Sequence, residues 1–348
     1  MSGMTTYFIR RLLLIPLTFI AITFLVYSVL RVVPGGPIEQ AQMQIKMSMM
    51  GEGGAAGMAN EAAELQIPAA AMEELKKYYR LDKPIPVGYA HWLWGIVRLD
   101  FGRSYVYNEP VLDVIMSKFH ISLYFGLIGY FASWAVCVPL GVSKAVRHKS
   151  GYDTATSILV FIGYSIPGFV ACLILMVLFG GGSYWDIFPL GGFRSENWAE
   201  LTFWGRIFDQ LNHTAIPVFG YLMGGFATMT MLMKNSLLDN LGADYVRTAF
   251  AKGLSERRVL FIHAMRNSLI PLTVGIGHAL GLLFAGSFLI EKTCNIPGMG
   301  LLGYTSIIQR DYPVILGTMV FMVLIRLTGN IFSDAIWAMI DPRIRFGK

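Results

Sequence analysis

Asp244-Tyr245-Val246-Arg247-Thr248-Ala249-Phe250-Ala251-Lys252-Gly253-Leu254-Ser255-Glu256-Arg257-Arg258-Val259-Leu260 is a polar stretch set between two long apolar ones. Its first nine residues predict a short helix that ends with Gly253 at the C′ position, where a left-handed backbone is needed. Ser255 is placed to N-cap a second helix, and Glu256 then stands at the positive end of that helix's dipole. The pattern is a helix-turn-helix elbow. Residues 210–233 before it and 267–290 after it contain no Asp, Glu, Lys or Arg, and each is long enough to cross a bilayer, which takes about 20 residues. An elbow that reads DNA belongs to a soluble domain, whereas this one is bracketed by membrane spans. Two helices rigidly continuous with those spans form a lever.

Working outward, residues 12–30, 119–143 and 154–185 are also free of acidic and basic side chains, and residues from about 313 to 340 are apolar apart from Arg326 and Asp334. These windows predict an all-α polytopic membrane protein with six transmembrane helices. Composition agrees: the 348 residues are 55% hydrophobic and 14% charged, against about a quarter charged in soluble proteins. A soluble enzyme, a disordered regulator and a secreted disulfide scaffold are thereby set aside. The first apolar core is longer than a signal-peptide core and Leu30-Arg31-Val32-Val33-Pro34 has no small-x-small cleavage pattern, so a retained helix is expected. Cys137, Cys172 and Cys294 lack CxxC spacing and read as buried small residues.

The net charge of +6 is a topology signal. Lys144, Arg147 and Lys149 follow the second span, and Lys234, Arg247, Lys252, Arg257, Arg258 and Arg266 cluster after the fourth, so both loops are expected to be cytoplasmic. The loops after the third and fifth spans balance their charges, and are expected outside. Arg10 and Arg11 at one end and Arg343, Arg345 and Lys348 at the other place both termini in the cytoplasm, as six spans require. Nucleic-acid binding is not needed to explain the basic excess.

The expected organisation is an N-terminal transmembrane helix (1–31), an external loop or insert (32–118), a core transmembrane domain (119–340) whose cytoplasmic loop covers about 234–268, and a cytoplasmic tail (341–348). Within the insert, Gly51-Glu52-Gly53-Gly54-Ala55-Ala56-Gly57 suits a flexible loop. Residues 71–79 predict a short helix, Lys83-Pro84-Ile85-Pro86 predicts extended chain, and Tyr89, Trp92 and Trp94 are suited to the membrane interface.

No catalytic constellation accompanies these spans. His91, His120, His148, His213, His263 and His278 form no HExxH and no ligand pair beside a carboxylate, so no metal site is expected. GxSxG and GxxxxGK[ST] are both missing from the sequence, so any ATP driving transport is hydrolysed elsewhere.

The elbow resembles the coupling, or "EAA", loop of ATP-binding-cassette importer permeases. It follows the variant of the peptide-importing subfamily, in which Asp-Tyr-Val-Arg-Thr-Ala-x-Ala-Lys-Gly leads to His-Ala-x-Arg-Asn. Residues 244–253 and His263-Ala264-Met265-Arg266-Asn267 fit that variant, with Phe250 where arginine is usual. Phe8-Ile9-Arg10-Arg11-Leu12-Leu13, Leu81-Asp82-Lys83-Pro84-Ile85-Pro86, Asp100-Phe101-Gly102-Arg103-Ser104, Arg310-Asp311-Tyr312-Pro313 and Asp341-Pro342-Arg343-Ile344-Arg345 resemble the same subfamily. More narrowly, Pro34-Gly35-Gly36-Pro37, Gly181-Gly182-Ser183-Tyr184-Trp185-Asp186-Ile187-Phe188-Pro189-Leu190 and Lys234-Asn235-Ser236 are similar to the microcin C and oligopeptide type.

The resemblance implies a type I importer permease fold in the bacterial inner membrane, with the 32–118 loop in the periplasm. It implies a second homologous permease, two ATPase domains carrying ATP and Mg, and a periplasmic peptide-binding protein as partners, with no cofactor in this chain. The ATPase-coupling residues are then Asp244, Tyr245, Arg247, Thr248, Ala249, Lys252, Gly253, Ser255 and Glu256. Related permeases for nickel or glycosides share these motifs. An ion-driven secondary transporter is the rival from another class, and calls for paired intramembrane carboxylates.

Arg326, near the middle of the sixth span, carries a charge whose burial in lipid costs about 2.5–3.5 kcal/mol or more. Asp334 lies eight residues on, roughly 12 Å along a helix, too far for a direct bond, so a partner on another helix or chain is expected. Arg326, Asn330 and Asp334 are candidates for the translocation path; Asn330 and Asp334, four apart, also suit helix-helix glue. Glu291 and Lys292 are candidates for an outer gate or an interface anchor. Met223, Met229, Met231 and Met233 read as packing surface.

Overall fold

The computed structural model describes residues 2–33, 73, 83–182, 184–274 and 286–340. The chain divides into two compact units, one of Met1–Leu13, Ser117–Leu302 and Met322–Lys348, the other of Leu14–Met116 and Gly303–Phe321. Among the described residues, four helices are long and apolar enough to cross a membrane: α1 (Ser2–Val32), α3 (Val111–Val146), α6 (Phe203–Leu241) and α13 (Tyr312–Ile340).

The third expected span is broken. α4 (Gly151–Ser165) and α5 (Gly168–Phe179) meet at 94°. Ile166 adopts φ −95°, ψ 116°, because the ring of Pro167 disfavours helical backbone in the residue before it. The fifth expected span, 267–290, lies largely outside the described residues; helical pieces Met265–Ser268, Ile270–Val274 and α11 (Phe288–Thr293) stand on either side of 275–285. The expected helix at 71–79 and the 51–57 loop also lie outside them, apart from Glu73.

Helices extend past their apolar windows. α3 begins at Val111, eight residues before the expected 119, with Asp113 in its first turn, where an acid suits the dipole. α6 is N-capped by Thr202, whose Oγ1 accepts from the Gly205 N–H at 3.2 Å. It runs for 39 residues, roughly 58 Å, against a hydrocarbon core of about 30 Å. Charge-free windows find the segment in lipid; caps find the helix ends.

In the first unit, α5 crosses α6 at a glycine pair. A Cβ on Gly168 would lie 2.3 Å from the Gly220 carbonyl oxygen, and one on Gly220 would lie 2.3 Å from Cys172 Sγ. Cys137, Cys172 and Cys294 are free and buried, as expected.

In the second unit, α2 (Ile85–Val97) starts within the stretch expected to be extended. Only Lys83 and Pro84 precede the helix, and Pro86 occupies its first turn, where a missing N–H costs nothing. Tyr89 is buried: its hydroxyl meets Thr23 Oγ1 at 2.8 Å and the Ile20 carbonyl at 3.2 Å, so the ring can pack on Tyr27. Trp92 packs beside them, and Trp94 faces outward under Arg98. In the same unit Asp311, fully buried, accepts from Ser104 and from the backbone N–H groups of Tyr105 and Val106, both at 3.2 Å.

The glycine crossing can be tested by stability alone. Gly168→Ala is expected to cost about 1–3 kcal/mol by overpacking. Gly224→Ala, whose Cβ meets nothing within 4 Å, is expected to be neutral or to gain about 0.5–1 kcal/mol of helix propensity. Residual monodisperse protein after stepwise heating in detergent reads the difference.

Candidate functional site: the helix-turn-helix elbow

α7 (Asp244–Ala251) forms the first arm. Lys252 is the C-cap and Gly253 follows with φ +77°. The Gly253 N–H donates to the Phe250 carbonyl at 2.9 Å and the Leu254 N–H donates to the Ala249 carbonyl at 3.3 Å. These two bonds are a Schellman motif, the ending its sequence predicts. Leu254 packs beside Ala249 in the same apolar cluster.

The second arm departs from expectation. α8 (Glu256–Arg258) starts where predicted and Ser255 has the extended backbone of an N-cap, but its side chain makes no capping bond. Instead, the Ser255 carbonyl receives the Arg258 and Val259 N–H groups at 2.9 and 3.0 Å. The arm continues as a π-helical turn, Val259–Ala264, and then as α9 (Met265–Ser268). Nothing in the sequence pattern marks that wider turn.

The elbow has two faces. Val246, Ala249, Val259 and Ala264 are buried against Val142 and Ala145 of α3 and Met233 and Leu237 of α6. Opposite them, Asp244, Tyr245, Arg247, Thr248, Lys252, Gly253, Ser255 and Glu256 are exposed, together with Phe250, Phe261 and Ile262. Ala249 is therefore a packing residue of the elbow, and the other eight expected coupling residues form its outward surface. Tyr245 donates to Asn240 Oδ1 at 2.6 Å and Thr248 to the Asp244 carbonyl at 2.9 Å. The Asp244–Arg247 pair, at 3.7 Å and 97% and 75% exposed, contributes little to stability.

Directly above the apolar cluster is a charge cluster that sequence reasoning missed. Lys144 and Lys234, read as loop charges, are buried inside α3 and α6. Both hold Asp153 of α4: Lys234 Nζ lies 2.8 Å from each carboxylate oxygen and Lys144 Nζ 3.2 Å from Oδ1. Ser150-x-x-Asp153 was the available signal, since it has the form of a capping box; Ser150 Oγ accepts the Asp153 N–H at 3.2 Å.

Elsewhere in this unit, Asp334 is buried and tied to the N-terminal helix. Its carboxylate pairs with Arg11 and accepts from Tyr7 at 3.0 Å, and Arg11 also donates to Tyr7. Arg326 is exposed and Asn330 half-buried on α13. Glu291 is buried, accepting from Ser122 at 2.9 Å and from the Leu301 N–H at 2.7 Å, whereas Lys292 is exposed. Among the described residues, no three His, Cys, Asp or Glu side chains are grouped to hold a metal.

A family model described as "Binding-protein-dependent transport system inner membrane component" matches residues 137–346, which contain the whole elbow. The chain belongs to this family. It is similar to the "Peptidoglycan transport system permease protein YejB" of Agrobacterium fabrum, with 37% identity over 99% of both chains. It is 38% identical, again over 99% of both, to the "Inner membrane ABC transporter permease protein YejB" of Escherichia coli O157:H7. With the "Oligopeptide transport system permease protein AppB" of Bacillus subtilis it shares 33% identity over 99% of this chain and all of the relative. The permease is thus a polytopic helical protein of the inner membrane and a transporter component rather than an enzyme.

Gly253→Val has open space around its Cβ, so its whole effect is backbone strain of roughly 1–2 kcal/mol at a positive φ. Amide hydrogen exchange should speed up at residues 253 and 254, whose N–H groups close the Schellman motif, and stay unchanged in α3 and α6.

Proposed function

We propose that the permease is one of two membrane subunits of an ATP-driven importer that carries peptides from periplasm to cytoplasm by alternating access. The observation that carries this reading is the elbow's division into a buried face continuous with α3 and α6 and an outward face of charged and aromatic side chains. Such a body can receive force from a docked partner and pass it into the membrane. The partners are a second homologous permease, two ATPase domains that bind ATP and Mg, and a periplasmic peptide-binding protein. ATP binding draws the two elbows of the pair together, swings the attached spans and opens the cavity outward; hydrolysis resets it. Both termini and the elbow lie in the cytoplasm and the 32–118 insert in the periplasm, as the distribution of lysine and arginine supports.

A peptide cargo is supported by relatives whose names concern peptidoglycan, oligopeptides and dipeptides. Microcin C is one candidate within that class, and nickel or a glycoside are the same-family alternatives. In this reading Arg326 and Asn330 face the translocation path, with Arg326 offering a cation to a peptide carboxylate. Asp334, engaged by Arg11 and Tyr7, serves as a helix tie at the edge of that path.

Two measurements test this. In proteoliposomes holding the complete importer, Gly253→Val should assemble but lose most substrate-stimulated ATP hydrolysis; full stimulation would remove the elbow from coupling. Arg326→Leu should assemble and lose uptake of peptides with a free C-terminal carboxylate more than of amidated ones, and equal uptake of both would refute the contact.

A further inference from the structure

Asp153, Lys144 and Lys234 join three helices where the elbow meets the membrane domain. Lys144 lies two residues after Val142 and one before Ala145 on α3; Lys234 follows Met233 on α6. Those three apolar neighbours belong to the cluster on which the elbow rests. Among the described residues, α4 places no side chain in that cluster. The ion pair and the side-chain hydrogen bonds from α4 to α6 at this end run through Asp153.

The two lysines differ in how much they depend on that carboxylate. Lys144 Nζ also donates to the Asp153 carbonyl at 3.0 Å, Thr156 Oγ1 at 2.9 Å and Ser157 Oγ at 2.7 Å. It is anchored across the first two turns of α4. For Lys234 the hydrogen bonds found are the two to the carboxylate. A symmetric, two-oxygen hold fixes both distance and rotation between α4 and α6. The remaining carboxylate contacts are the Lys149 N–H at 3.2 Å and His148 Nδ1 at 3.4 Å. Tyr152 adds a second tie from α4 to α3, through Ser143 Oγ at 2.9 Å.

We propose that Asp153 and Lys234 are positioning residues for transport: their ion pair makes α4 travel with α6 when the elbow moves, so that force received outside the bilayer reaches the broken span α4–α5. The proposal rests on the reading of the elbow as the ATPase-driven lever. α4 is bent 94° from α5 at Pro167, so a displacement of α4 reorients a hinge inside the membrane rather than shifting one rigid rod. An apolar contact would let the helices slide. A desolvated pair held at both oxygens keeps its register, because separating it leaves a charge with no water to replace its partner.

The test uses the complete importer in proteoliposomes, with spin labels at the exposed positions Leu159 on α4 and Leu232 on α6. In the wild type the label distance is expected to be the same with and without ATP, since the helices move together. Lys234→Gln leaves Asp153 paired with Lys144 and is expected to assemble, to show an ATP-dependent separation of the labels, and to lower peptide taken up per ATP by about fivefold or more. Lys234→Arg, which keeps the charge, should restore both. An unchanged distance and an unchanged uptake-to-ATP ratio in assembled Lys234→Gln would overturn the proposal, as would a wild-type distance that itself changes with ATP. Failure of both Lys234→Gln and Asp153→Asn to assemble would also overturn it, assigning the pair to folding. A constant wild-type distance and an ATP-dependent separation in Lys234→Gln, with no peptide taken up by the wild type, would refute the peptide reading and leave the linkage standing.

Discussion

Burying Asp153 is the constraint around which the elbow end of this permease is arranged. A carboxylate taken out of water needs compensation, and two lysines from different helices supply it. Each lysine in turn needs the carboxylate, since removing one partner of a buried pair costs about 3–5 kcal/mol. The three helices are thereby committed to one mutual arrangement before apolar packing refines it. Val246 and Ala249 of the elbow then close over side chains that flank those lysines in sequence.

The elbow was legible in the sequence because its determinants are local. Gly253 needed only its own backbone to declare a helix end, and Asp244 and Glu256 needed only their positions in first turns. Most of the long helices were legible for a related reason: lipid demands an uninterrupted apolar run. The break at Ile166–Pro167 was equally local, but Thr154 to Trp185 carries no charged side chain, and a charge-free window does not reveal a change of direction. Hydrophobicity and backbone conformation are separate signals, and here the second overruled the first.

What the sequence hid is tertiary. Lys144 and Lys234 look like loop charges until Asp153 is brought to them across 9 and 81 positions. The hydroxyl of Tyr89 finds its partner in Thr23, 66 positions away. The same holds for Asp334, whose counter-charge is Arg11 at the other end of the chain. Two stretches that carried the family resemblance also become physically intelligible together. Asp100-Phe101-Gly102-Arg103-Ser104 and Arg310-Asp311-Tyr312-Pro313 meet because the buried Asp311 gathers the hydroxyl of Ser104 and the next two backbone N–H groups.

These buried carboxylates divide into two kinds, and the division bears on how the molecule can move. Asp311 and Glu291 are satisfied by backbone N–H groups and serine hydroxyls, short donors with little reach, so each pins its own loop to a segment far away in the sequence. Asp153 and Asp334 are satisfied by long cationic side chains reaching from separate helices. A tie of this kind binds one helix to another, so the helices it joins travel as a set. A transporter that alternates between two states needs both properties. Loops must hold their shape while helices exchange positions, and the energy separating the states must stay within the few kcal/mol that differential ligand binding supplies. Ties that travel intact with the helices they join, α3 with α4 and α6, and α1 with α13, keep that gap small, because no buried pair is broken on passing from one state to the other.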